Sequence, residues 1–286
     1  MNGAREPAAE EVVYSAESQL RSPALFVAAL RSDLRVAPAV AWRLFLHNLR
    51  AGYRRSLLGY VWLLLPPLAT AATWVYLNSA RVLDVGPTEL PYTLYVLAGT
   101  TLWQVFAEAL NSPLQQLSSA RNILTKSRTP HEALLLAGVI EVFFNFAVRA
   151  AVLLPVFVWL NPAWGWPVLL APAGVAALAL LGFSLGLLLT PAGLLYRDVQ
   201  RGLNLFAGFW FFLTPVVYPP PARWPASLLA TLNPVAPLLV TARRWLAGAQ
   251  AAPARGFAAV VALSLLCFAF GWLCYRLARP HLVARL

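Results

Sequence analysis

The sequence predicts an all-α integral membrane protein with six transmembrane helices. Composition is the first ground: of 286 residues 60% are hydrophobic and only 12% charged, with mean hydropathy +0.66. A soluble domain carries about 25% charged residues. Second, apolar stretches long enough to cross the hydrocarbon core, for which about 20 residues suffice, recur along the chain. Third, Lys and Arg collect in alternate connecting segments, as the positive-inside bias requires. One membrane domain, residues 39–286, is expected behind a cytoplasmic tail, residues 1–38. The net charge of +11 fits that bias and attraction to anionic lipid heads, so membrane lipids are expected partners and nucleic acid is not.

The tail is broken by Pro7, Pro23 and Pro38, with room for one short helix near Leu25–Leu34. No apolar signal-peptide core precedes Ala24. After Pro38, Trp42, Phe45, Leu46, Leu49 and Tyr53 recur at helical spacing, with Arg43, His47, Arg50 and Arg54 opposite. This predicts an amphipathic helix over residues 39–54 lying in the membrane interface. The first span, about 57–77, is free of charge and contains Pro66-Pro67, a kink that neighbouring helices can satisfy inside lipid. A polar outer loop precedes the second span, about 92–117, and Ser118–Glu132 forms a basic inner loop. The third span covers about 133–160. The outer turn after it, Asn161–Pro167, holds Trp164 and Trp166 at headgroup level. The fourth span, about 168–189, ends in a turn with Arg197 and Arg201, which places that turn inside. The fifth, about 202–218, is short and aromatic. Residues 219–253 are too apolar for a solvated loop and too rich in proline for a span, which predicts a re-entrant outer hairpin of two half-helices, Ala226–Leu232 and Pro237–Leu246. The sixth span, about 256–277, is followed by Arg279 and Arg285.

Of the 22 basic residues, Arg81, Arg223, Arg243, Arg244 and Arg255 fall in outer segments, Arg149 falls within a span, and the rest are inner. Both termini are therefore expected in the cytoplasm. Arg243 and Arg244 end the second half-helix, where cations complement the helix dipole. Glu108, Glu141 and Arg149 are expected to hold helices together rather than to couple protons, since intramembrane charges are costly unless paired. Depth along the spans argues against a Glu108–Arg149 pair. Cys267 and Cys274 lie seven residues apart in one span, too far to bond, and read as small buried hydrophobes.

Several chemistries are excluded. His47, His131 and His281 lie in separate segments, and no His or Cys pair has metal-ligand spacing. A phosphate-binding P-loop needs Gly-x-x-x-x-Gly-Lys-Ser/Thr, but Ser118–Thr125, ahead of the only lysine, Lys126, contains no glycine. The chain is expected to hold no cofactor and no metal site of its own and not to be an enzyme. Any ATP-driven work requires a partner.

Four stretches now carry a resemblance. RRSLLGYVWLLLPPL at Arg54–Leu68, FAEALNSPLQQLSSARNILTK at Phe106–Lys126, YRDVQ at Tyr196–Gln200, and FLTPVVYP continuing to LNPVAP within Phe212–Pro237 resemble type-2 ABC-transporter permeases that export polysaccharides. That family includes O-antigen, capsule and teichoic-acid exporters. The resemblance covers about Leu44–Leu246. Pro66-Pro67 stands where the family often has Asn-Pro, and the tail before Pro38 has no counterpart.

The resemblance implies a bacterial inner-membrane homodimer working with two ATP-binding cassette subunits, which bind the ATP and magnesium. The implied cargo is a polysaccharide on a polyprenyl-diphosphate lipid. It makes Arg121, Asn122, Thr125, Lys126 and Arg128 a coupling segment that docks on the ATPase, capped through Ser119. Asp198 of the Tyr196-Arg197-Asp198 turn is expected to cap the fifth span. Arg197 there either obeys the positive-inside bias or meets lipid phosphate. Aromatic rings offer rigid area to sugar C–H faces, so Trp62, Trp74 and Tyr76 of the first span and Phe206, Phe209 and Trp210 of the fifth are candidate channel walls. An interfacial belt is the competing reading for Trp74 and Tyr76. Trp224, Arg243 and Arg244 form the candidate outer gate, where the arginines would meet lipid phosphate or anionic sugar. Rival functions are export of drugs or small lipids, an integral-membrane glycosyltransferase, and a structural assembly factor.

Overall fold

The computed structural model describes residues 23–53, 57–82, 85–120, 130–160, 165–221, 226–248 and 251–283. Among them every regular element is helical. In chain order these are α1 (Pro23–Tyr53), α2 (Val61–Ser79), α3 (Tyr92–Ser119), α4 (His131–Leu160), a 3-10 turn (Trp166–Leu170), α5 (Ala171–Leu195), α6 (Arg197–Leu213), α7 (Ala226–Leu232), α8 (Val235–Leu246) and α9 (Phe257–Val283).

The centre of the bundle is the α3–α5 seam. In lipid no hydrophobic force drives two apolar helices together, so close packing must do so, and small residues allow it. The stretch GFSLG places Gly182 and Gly186 four residues apart on α5. A Cβ at Gly182 would collide with the carbonyl of Phe106, and one at Gly186 with the carbonyl of Leu110. The two backbones therefore touch, and Phe106, Leu110, Leu114, Leu178 and Leu187 are wholly buried around the contact. Around this pair α4 and α2 pack on α3, α9 packs on α5, and α8 lies across both.

Among the described residues four stretches are long and apolar enough to cross a membrane: α2, α4, Trp166–Leu195 and Phe257–Ala278 within α9. The second and fifth predicted spans correspond to α3 and α6. α3 is 28 residues long, but from its middle onward it carries Gln104, Glu108, Asn111, Gln115 and Gln116. α6 has 17 residues and opens on Arg197-Asp198. It is short of the ~20 residues a crossing needs.

The N-terminal region differs from expectation. No break occurs at Pro38: α1 is one helix of 31 residues that runs through it. Proline's fixed φ suits a helix and removes only one backbone donor, a loss that Pro38 tolerates on the exposed side of α1. The packed stripe also differs. Ala37, Ala41 and Phe45, each four residues apart, are buried against Ala133 and Ala137 of α4, whereas Trp42 is exposed. Small side chains bring α1 against α4, so this face meets protein.

Farther along α1, Asp33 accepts from Arg276 of α9 at 3.3 Å, and the same guanidinium donates to Glu132 of α4 at 3.1 Å. One side chain thus ties the first, fourth and last helices. His131 and Tyr275 hydrogen-bond beside it.

The two helices predicted between the fifth and sixth spans are present as α7 and α8. Asn233, which opens the stretch NPVAP, organises the junction between α6 and α8. Its carbonyl oxygen accepts from Trp210 Nε1 and from the backbone of Val235, both at 3.0 Å. Its amide donates to Thr214 Oγ1 at 2.8 Å. Tyr92 and Tyr95 hold the chain after α6 by donating to the carbonyls of Val217 and Tyr218.

Candidate functional site

The polar residues of α3 form a stripe. Gln104, Glu108, Asn111 and Gln115 recur at spacings of four, three and four, which keeps them on one side of the helix. The seam residues Phe106, Leu110 and Leu114 occupy another side. On α4, Gly138, Glu141, Val142 and Asn145 form a matching stripe, and α6 contributes Gln200 and Asn204, one turn apart. Together these line a cavity of about 620 Å³ between α3, α4 and α6, with Ser112, Gln116 and Ser118 also on its wall.

Its side chains are linked. Asn48 of α1 donates to Gln116 at 3.2 Å, and Gln116 donates to Glu141 at 2.7 Å. Gln200 donates to Asn111 at 3.0 Å, which joins α6 to α3. Asn145 donates to Glu108 at 3.2 Å. Arg149, 2% exposed, forms an ion pair with Glu108 and donates through Nε to the carbonyl of Leu63 at 3.0 Å. The expectation that Glu108 and Arg149 do not pair is therefore wrong. Glu108 faces the Asn145–Arg149 turn, so α3 and α4 are staggered more than their span ends suggest, and the long arginine side chain covers the remaining distance. Ser112 Oγ is buried at the wall and has no hydrogen-bond partner among the described residues.

Such a wall suits hydroxyl-rich molecules. Side-chain amides both donate and accept, as sugar hydroxyls do, and a carboxylate accepts from two hydroxyls at once. None of the six candidate aromatics belongs to it. Trp62 and Tyr76 of α2 are exposed, and Trp74 is half-buried against the core. The α6 rings differ in exposure. Phe206 and Phe209 are exposed, while Trp210 turns inward, meets Phe106 edge-on at 5.2 Å and bonds Asn233. Phe206 stays in ring contact with Trp210 at 5.1 Å, so these two remain neighbours on one face although only Trp210 is anchored to the bundle.

Tyr196, in extended backbone, is itself the N-cap of α6, and Asp198 lies one step inside the first turn. Asp198 therefore does not cap. Its exposed carboxylate still complements the dipole and meets Arg201 at 3.5 Å. Tyr196 and Arg197 are exposed at the same turn. Arg243 is 3% exposed. It donates to the carbonyls of Val216 and Pro215 at 3.0 and 3.1 Å and stacks over Tyr95 at 3.6 Å. Arg244 pairs with Glu89 at 3.0 Å. Both arginines thus meet groups of the protein itself. Arg121, Asn122, Thr125, Lys126, Arg128 and Trp224 lie outside the described residues.

The amide wall is the feature that sequence reading passed over. Its signal is present in the polar residues of α3 at helical spacing, on a side of the helix other than the buried seam.

No family model matches the sequence. Relatives do. An O-antigen export system permease protein RfbA of Myxococcus xanthus is 31% identical over 206 residues, which is 68% of this chain and 75% of the relative. Two O-antigen export system permease proteins RfbA of Klebsiella pneumoniae are 25% and 24% identical, over 204 and 206 residues, with the same coverage. The shared identity spans two thirds of the chain on a helical bundle with apolar, membrane-length helices, and it establishes that this chain belongs to the family of O-antigen export permeases.

Proposed function

We propose that the chain is the membrane permease subunit of an exporter that moves a lipid-linked polysaccharide across the bacterial cytoplasmic membrane. Family membership supports transport of a polysaccharide. The polar cavity is the observation that carries it to this structure: amides and carboxylates gathered on α3, α4 and α6 offer a hydrogen-bonding wall within a bundle that is otherwise mostly apolar. Intramembrane polar groups of this kind mark substrate pathways.

The lipid carrier, a polyprenyl diphosphate, follows from the resemblance. The energy comes from two ATP-binding cassette subunits that bind ATP and magnesium, since the chain has no P-loop. Their docking point is the basic segment Arg121–Arg128, which joins α3 to α4 at the end of the bundle nearest Ser118, Arg197 and Arg201. That end is the cytoplasmic one by the positive-inside bias. In this reading α3 and α6 complete a set of six spans, α7 and α8 form the re-entrant outer hairpin, and both termini are cytoplasmic. Two copies enclose the path. The exposed rings Phe206, Phe209 and Phe212 of α6 and the exposed residues Trp62, Leu65 and Leu68 of α2 support a partner surface, since both helices use only one side to pack on the bundle.

Deletion of the gene tests the reading. Lipid-linked polymer should accumulate inside the cell while the surface loses it, and a plasmid copy should restore export. Normal surface polymer in the deletion strain would overturn it. Export of a small lipid or drug in place of polymer would support the rival within transport.

A further inference from the structure

The cavity wall has an unbalanced charge. It carries amides, serines and two carboxylates, and among the described residues neither Lys nor Arg belongs to it. Arg149 stands off the wall and is engaged with Glu108. Glu141 receives only the neutral amide of Gln116 and has no cationic partner among the described residues. A uronate or phosphodiester brought here would lose water, find no cation, and face the Glu141 carboxylate. Burying a charge without a partner is strongly unfavourable, and a like charge nearby adds to the cost. A hydroxyl or an N-acyl amide pays neither penalty.

A second observation points to a ligand independently of charge. Ser112 Oγ, on a residue only 6% exposed, lies at the wall beside Gly138 with no partner among the described residues. Buried hydroxyls are ordinarily hydrogen-bonded, and a sugar hydroxyl seated in the cavity supplies the missing bond.

We propose that this cavity is a saccharide subsite selective for uncharged polysaccharides, rich in hydroxyl and N-acyl groups, and that it rejects polymers bearing carboxylate or phosphate. The proposal rests on the exporter reading and narrows it. Because the amides of Gln104, Asn145 and Asn204 both donate and accept, the subsite tolerates different sugars while it excludes one sign of charge.

The test uses the full chain in lipid nanodiscs, titrated with an N-acetylglucosamine tetrasaccharide and a galacturonic acid tetrasaccharide, with dissociation constants read by calorimetry. The neutral sugar should bind about tenfold more tightly than the acidic one. S112A should weaken the neutral sugar. Glu141→Lys should reverse the preference, and Gln115→Lys, at an exposed part of the wall, should move it in the same direction without disturbing the buried Gln116–Glu141 bond. Equal binding of both sugars to the unmodified chain overturns charge selectivity and leaves the exporter reading standing. So does a folded Q115K protein with an unchanged preference. Binding of neither sugar overturns the subsite, and in that case the gene-deletion phenotype alone decides the exporter reading.

Discussion

Arg149 sits where a single side chain joins three helices: it pairs with Glu108 of α3, belongs to α4 and reaches the carbonyl of Leu63 in α2. Removing one member of a buried ion pair leaves an uncompensated charge, typically at a cost of about 3–5 kcal/mol. Arg149→Met should therefore destabilise the purified protein by about 3 kcal/mol, visible as a lower Tm in detergent. The double variant E108Q/R149M, which removes both charges, should recover more than half of that loss. A single variant as stable as the parent would show that the pair contributes nothing. At this scale the sequence was informative about chemistry and poor about partners. The cost of intramembrane charge singles out Glu108, Glu141 and Arg149. Their pairing depends on the stagger of two helices, which depth counted along each span does not provide. Asp198 illustrates the same limit: a shift of one or two positions in the helix start turns a cap into a first-turn residue.

Helices were legible as elements because apolar length and proline-marked breaks are local signals. The two short helices near the fifth and sixth spans were placed by their prolines, and they are present as α7 and α8. Continuity through Pro38 was not legible, since a proline that ends one helix is tolerated in another when its lost donor faces away from the packed side. The α3–α5 seam was readable in principle from GFSLG, a spacing of small residues that signals close helix approach in membranes. Gly186 faces the backbone of Leu110 with no side chain between to yield. Gly186→Ala should cost about 2 kcal/mol through overpacking, and Gly186→Leu should abolish the monodisperse peak in size-exclusion chromatography. Gly208, on the open side of α6 with no atom near its missing Cβ, serves as the control and should tolerate alanine. Equal behaviour of the two glycines would argue against the seam.

Across the whole molecule, topology is the quantity that separates four membrane-length stretches from six crossings. Alkaline phosphatase fused after Val85 or Gly165 should be active, because both positions are predicted outside. Fusions after Pro130 or Tyr196 should be silent. An active fusion at Pro130 would remove α3 from the set of spans, and an inactive one at Val85 would remove α2. The charge pattern predicts this arrangement, whereas the bundle order around α3 and α5 was not legible, since which helices touch is decided by glycine contacts and polar bonds between distant parts of the chain. The most distant is the pair Asp33–Arg276, 243 residues apart. Its consequence is one of timing. Arg276 exists only once nearly the whole chain has been made, so α1 remains unlatched from the last helix throughout synthesis. At about 5–20 residues per second that interval is roughly 10–50 seconds. Until then the contact available to α1 is its alanine face on α4. A chain truncated before Arg276 should therefore lack this tie and hold its first helix only through the alanine packing on α4, which limited proteolysis of the truncated and full chains would compare.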